Sequence, residues 1–205
     1  MLKLAAKDFA RSFVKAANAA QGEFTCALTG GSAANTLYPL LANAELDWNS
    51  IKFFLSDERC VPSSHADSNF RQLRMVLPQA KVQRVRTELP PAEAAVEYSR
   101  HLPEKFDLIQ LGMGEDGHVA SLFPGHPLLQ ETKLRVAALT DSPKAPAERI
   151  TFTLPTITSA MNVWFLVLGE KKKATAELVQ NDPTCMLPAA LVHRAARRST
   201  WFTDF

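Results

Sequence analysis

Eight short, mostly apolar runs recur along this chain, each separated from the next by a polar turn or an amphipathic stretch. They are "EFTCAL" (23–28), "IKFFL" (51–55), "VQRV" (82–85), "FDLIQL" (106–111), "LRVAAL" (134–139), "RITFTL" (149–154), "NVWFLVL" (162–168) and "STWFT" (199–203). Between them the apolar period changes from two to that of a helix. An N-terminal segment carries Phe9, Phe13, Ala16, Ala17 and Ala20 on one face, and "AANTLYPLLA", a stretch from about Ser68 (Phe70, Leu73 and Leu77 on one face), "PAEAAVEYSRHL" and "KKKATAELV" follow. Strands that alternate with helices build a mainly parallel sheet covered on both faces, because a parallel crossover needs a helix and that helix must bury its apolar side. The expectation is an α/β fold in a single domain over residues 1–205, a length one domain accommodates. Residues 140–148, rich in Pro and Ser, read as a surface loop.

The same residues restrict the function. Net charge is +2, from 23 basic and 21 acidic residues, so there is no general electrostatic case for nucleic acid, although a local basic cluster can still hold a small anion. Cys26, Cys60 and Cys185 lie far apart and are odd in number. That argues against a disulfide framework or a zinc site and for free thiols in a reducing cytoplasm. No run approaches the roughly 18 apolar residues of a membrane helix. The first 22 residues lack the uninterrupted apolar core of a signal peptide and read as a packed helix.

Open α/β sheets bind ligands beyond the carboxyl ends of their strands, and three polar segments follow strands there. "TGGS" (Thr29 to Ser32) is either an anion cradle of backbone N–H groups at a helix start or a plain glycine turn with Ser32 as helix cap. "SDERCVP" (Ser56 to Pro62) offers Arg59 as a planar fork for an anion beside Asp57, or else a solvated charge cluster. "GMGEDGH" holds Asp116 and His118 two residues apart, a titratable pair suited to general-base work near neutral pH. No second His or Cys stands at ligand spacing to His118, which argues against a metal. Arg149 opens a strand, and the lysines of "GEKKKA" (169–174) oppose a helix dipole, which fits either a nearby anion or a solvated run.

Together, "LTGGSAANTLYPLL", "WNSIKFFLSDERCVPSSHADSNF", "FDLIQLGMGEDGHVASLFPG", "ERITFTLPTI", "VWFLVLGEKKKA" and "LPAALV" resemble the 6-phosphogluconolactonase family from about residue 24 to the C-terminus. The resemblance implies a Rossmann-like α/β fold and hydrolysis of 6-phospho-D-glucono-1,5-lactone to 6-phosphogluconate, a step of the oxidative pentose phosphate pathway, with neither metal nor cofactor. The partner is then a small sugar-phosphate lactone, with no nucleic acid and no membrane, and a monomer or weak homodimer is expected. By position, His118 resembles the base that activates water and Asp116 its partner. Gly30, Gly31 and Ser32 resemble the anion loop, and Asp57 and Arg59 resemble substrate contacts. Arg149 and Lys172 resemble a phosphate-binding pair, with Lys173 as a rival because the family's lysine usually precedes Ala directly. Where the family usually reads "GGSTP" this chain has "GGSAA", which shifts phosphate binding toward backbone N–H groups, Arg149 and the lysine. Related glucosamine-6-phosphate deaminases carry an acidic residue shortly after the same loop. Here none occurs before Glu131, which disfavours deamination, and a regulator that merely binds has no need of both Asp116 and His118.

Overall fold

A computed structural model describes residues 2–205, with side chains from Leu4 onward. All eight expected runs form strands. Six of them make one sheet, parallel at every pairing: β1 (Phe24–Leu28), β2 (Ile51–Leu55), β4 (Lys81–Gln83), β5 (Leu108–Leu111), β8 (Val163–Val167) and β9 (Ser199–Thr203), in the order β4-β2-β1-β5-β8-β9. The apolar runs are continuous because both sheet faces are covered, so successive side chains enter opposite cores. On one face Phe24, Cys26, Leu28, Phe53, Leu55, Leu108 and Leu166 pack with Phe9 and Phe13 of α1 (Leu2–Asn18), Leu37 and Tyr38 of α2 (Ser32–Ala42), and Leu73 of α3 (Asn69–Val76). On the other, Ala27, Phe54, Ile109, Leu111, Val163 and Phe165 pack with Tyr98 of α4 (Pro91–Ser99), Ile157 of α5 (Leu154–Thr158), Val179 of α6 (Lys173–Asn181) and Val192 of α7 (Pro188–Ala195).

Two of the runs leave this sheet. β6 (Val136–Leu139) and β7 (Arg149–Phe152) join β3 (Asp57–Arg59), a stretch that reads as loop, in a separate antiparallel sheet of order β3-β7-β6. Ser56 is the seam between the sheets. Its N–H donates to Leu28 O at 2.9 Å on the parallel side, and its carbonyl accepts from Phe152 N at 2.8 Å on the antiparallel side. The parallel sheet winds outward from β1 through β2 to β4, then restarts at β5 and winds the other way. The crevice where winding reverses therefore lies between the turns that leave β1 and β5. Among the described residues no helix is long and apolar enough to cross a membrane.

Candidate active site

A cavity of about 340 Å³ opens at that crevice. Its lining includes Gly30, Gly31 and Ser32 after β1, Asp57 and Arg59 on β3, His118 after β5, Arg149 on β7 and Lys172 before α6. Every proposed site residue except Asp116 thus borders one cavity, and Asp116 is bonded to His118. Thr29 and Glu115, from the first and third of the polar segments, also line it, as do Asn69 and Lys144, to which the sequence gives no part in the site.

The His118–Asp116 pair is folded back over Gly114. A Cβ at Gly114 would overlap the His118 ring and Asp116 Oδ1, so only glycine leaves room for the pair. The loop is fixed from outside: Thr175 Oγ1 donates to Glu115 O at 2.8 Å and Ala189 N to Gly117 O at 3.0 Å, from α6 and α7. His118 Nδ1 lies 2.5 Å from Asp116 Oδ1, and the ring packs against Phe123 with centroids 4.9 Å apart. Burial works to raise the Asp116 carboxyl, but His118 and Lys144 outweigh it and hold it down at about 2. An ionised carboxylate only accepts, so Nδ1 carries the proton between them and Nε2 keeps its lone pair. Burial pushes the His118 imidazole below its ordinary value, with Lys144 adding to this and Asp116 opposing it. A neutral ring with a free Nε2 can take a proton from water.

The opposite wall is held by buried carboxylates. Glu58 accepts from the N–H groups of Arg59, Asn69 and Phe70 at 2.7–2.8 Å and from Ser68 Oγ at 3.1 Å, which caps α3 and fixes β3 against it. Asp57 accepts from Ser121 Oγ at 2.8 Å and Asn69 Nδ2 at 3.2 Å. Asn69 Oδ1 is buried without a partner, and a Cβ on Gly30 would overlap it, so this glycine admits the asparagine to the cavity floor. Arg149 pairs in register with Arg59 and is 4% exposed. It donates to Ser121 Oγ (3.3 Å) and to the carbonyls of Lys144 (2.8 Å), Ala145 (3.2 Å) and Pro146 (2.9 Å). Four of the five N–H donors of a guanidinium are then engaged inside the protein, leaving one for the cavity. Arg59 bonds Asp67 O at 2.6 Å through one terminal nitrogen only.

Of the two readings of "TGGS", the one with Ser32 as helix cap does not hold. Gly31, at φ +82°, is the residue before α2, and no Ser32 side-chain cap forms. The Gly31 N–H donates to Gln72 Oε1 at 3.1 Å, while Gln72 Nε2 donates to Gly31 O (3.0 Å) and Asn35 Oδ1 (2.7 Å). Thr29 N–H donates to Gln110 Oε1 at 3.0 Å. The turn is therefore clamped by α3, and its N–H groups open to the cavity are fewer than a bare glycine loop would offer. The lysines are distinguished: Lys172 is half-buried in the lining, whereas Lys173 reaches Glu170 at 3.5 Å and does not line it. Burial lowers Lys172, Glu115 opposes, and Lys144 adds to the lowering, so two ammonium groups face one space. Among the described residues no three His, Cys, Asp or Glu side chains stand together as a metal site.

The family described as glucosamine-6-phosphate isomerases/6-phosphogluconolactonase matches residues 1–201. The 6-phosphogluconolactonase of Rattus norvegicus is 37% identical over 203 residues, 90% of this chain and 79% of its own length. The chloroplastic 6-phosphogluconolactonase 3 of Arabidopsis thaliana is also 37% identical, over 90% of this chain but 64% of its own length, so this chain spans under two thirds of that relative. A crystal structure of 6-phosphogluconolactonase from Thermotoga maritima superposes with a TM-score of 0.86 at 31% identity, covering 96% of this chain and 92% of that one.

Proposed function

This chain belongs to the family of glucosamine-6-phosphate isomerases and 6-phosphogluconolactonases, and from that premise we propose that it hydrolyses 6-phospho-D-glucono-1,5-lactone to 6-phosphogluconate. The observation that carries the reading is one cavity in which an Asp-held histidine stands among Arg59, Lys144, Arg149 and Lys172. A lactone has an electrophilic carbonyl and no charge there, so its phosphate is the handle by which a protein can orient the ring.

His118 Nε2 takes a proton from water as that water attacks the lactone carbonyl, while Asp116 steadies the imidazolium that forms. The carbonyl oxygen gains negative charge, which the cations and free N–H groups of the cavity favour. Collapse of the tetrahedral intermediate breaks the bond to the ring oxygen, and His118 returns its proton to that oxygen. Lys172 and Arg59, with the remaining N–H of Arg149 and the turn at Gly30, Gly31 and Ser32, hold the phosphate; Asp57 orders this wall and faces the sugar. Deamination finds no support in the geometry. Glu131, the first acidic residue after His118, turns its carboxylate onto the N–H groups of Lys133 and Leu134 and is absent from the cavity lining. The compartment we infer is the cytoplasm, a reading supported by three unpaired thiols.

The test is hydrolysis of freshly generated phosphogluconolactone with the spontaneous rate subtracted. Acid release should rise in proportion to protein, and glucosamine-6-phosphate should yield no ammonia. A rate equal to background would overturn the lactonase reading.

A further inference from the structure

Lys144 lies in the loop that reads as plain surface, and its side chain is about half exposed. Its backbone is nonetheless held from two sides. The Lys144 carbonyl accepts from Ser142 Oγ and from the Arg149 guanidinium, both at 2.8 Å, and its N–H donates to Ser142 Oγ at 3.2 Å. Arg149 grips the next two carbonyls as well, and Ser142 N–H closes the loop on Ala147 O at 3.1 Å. These bonds fix the backbone from which the side chain departs, so the reach of the ammonium is set from a held Cα. The ammonium end explains the investment. Lys144 Nζ sits 3.0 Å from Asp116 Oδ2 and 3.2 Å from His118 Nδ1. Asp116 is therefore shared, one oxygen to the imidazole and the other to the ammonium.

We propose that Lys144 is a positioning residue for the His118–Asp116 pair, and that Arg149 acts on the pair through it by holding the backbone of residues 144–146. By bonding the oxygen that His118 does not use, Lys144 stops the carboxylate from rotating off the ring. Its charge also opposes a second proton on the imidazole, so Nε2 stays vacant for the proton of water. The charged groups acting on His118 are Asp116 on its own loop, Lys144 on the loop before β7 and Asp57 on β3, with Arg59, Glu115, Arg149 and Lys172 in the same cavity lining; of the cations, Lys144 is the one bonded to Asp116. The importance of the pair rests on the lactonase reading above.

The experiment follows the His118 imidazole by NMR pH titration in the ligand-free full chain, for wild type, Lys144→Met, Lys144→Arg, Arg149→Lys and the Lys144→Met/Arg149→Lys double variant. Lys144→Met should move His118 ionisation to higher pH, and Lys144→Arg should leave it near wild type. Arg149→Lys should move it the same way by less, and should add nothing to Lys144→Met. In turnover, the acidic limb of the kcat profile should move with the titration. At neutral pH kcat should fall roughly tenfold, while KM for the phosphorylated lactone stays close to wild type. A folded Lys144→Met with unmoved titration and limb would overturn the proposal, as would a raised KM at unchanged kcat, which would make Lys144 a substrate ligand. A full additional shift from Arg149→Lys in the double variant would remove Arg149 from the scheme. Titration is read without substrate, so a wild type that fails to hydrolyse the lactone would sink the lactonase reading and leave this test standing.

Discussion

The two walls of the cavity are built in opposite ways. On the parallel-sheet side, backbone does most of the work: turns after β1 and β5 are shaped by glycines at 30 and 114, and one titratable pair is folded onto the second turn. On the antiparallel side, side chains do it. Arg59 and Arg149 border the cavity together with Asp57 and Asn69, and Glu58, Ser68 and Ser121 bond this set from within. The first wall sets where a proton can go and adds Lys172 and the turn at Gly31 to the anion site, while the second supplies two guanidinium groups to it. The contrast teaches that proton transfer needs a geometry fixed by a regular sheet, whereas anion binding needs partial desolvation supplied by residues distant in sequence.

The sharpest way to separate the walls is His118→Asn. Asn can fill the space without taking a proton, so kcat should fall about 10²–10⁴-fold on phosphorylated and unphosphorylated lactone alike. A folded variant with near wild-type kcat would place the base elsewhere. In the wild type, activity should decline as pH falls through the His118 pKa, because the protonated ring is no base. Since burial sets that value below the ordinary one, activity should persist to lower pH than an unperturbed imidazole allows. A pH profile of kcat checks this.

Arg59→Ala probes the second wall. Loss of a charge-assisted bond to phosphate is worth about 1.5–3 kcal/mol, so kcat/KM should drop roughly 10- to 100-fold on the phosphorylated lactone and much less on gluconolactone. Equal losses on both substrates would erase the distinction between the walls. The smallest effect is expected where the walls meet, at Gln72, which ties α3 to the turn at Gly31. Gln72→Ala should raise KM a few-fold by loosening that turn, at about 1 kcal/mol for the lost bonds, with kcat kept. Steady-state kinetics will show it; a fall in kcat instead would mean that the clamp serves the chemistry.

The same contrast explains what could be read from residue order. The six parallel strands were legible because runs such as "FTCAL" and "VWFLV" are apolar on both faces, which only a doubly covered sheet rewards. His118 and Asp116 were legible because they share one loop. "DER" was not legible as a strand: three charged residues look solvated until Ser68, Asn69 and Ser121 arrive to bond them. Lys144 was hidden for a similar reason, since its backbone partner, Arg149, lies five residues away across a turn. For α7 a signal existed in Pro188 followed by alanines, a favoured helix start. The choice between Lys172 and Lys173 needed coordinates, because a one-residue shift at a helix start turns a side chain by about 100°.

Ser56 carries a further consequence, for anyone who would re-engineer this chain. One residue serves as the last rung of one sheet and the first of another, so the loop that leads into β7 cannot change length without consequence. A slip of one residue in β7 against the pinned β3 would send the Arg149 guanidinium to the reverse face of the small sheet. His118 and Asp116 would stay on their turn after β5, but the backbone of residues 144–146 would be released, and with it the ammonium that bonds Asp116. Such a graft would keep the base and the turn at Gly31 but lose a guanidinium from the anion wall, and its failure would look like lost affinity with a shifted pH profile while the fold, by circular dichroism, looked intact.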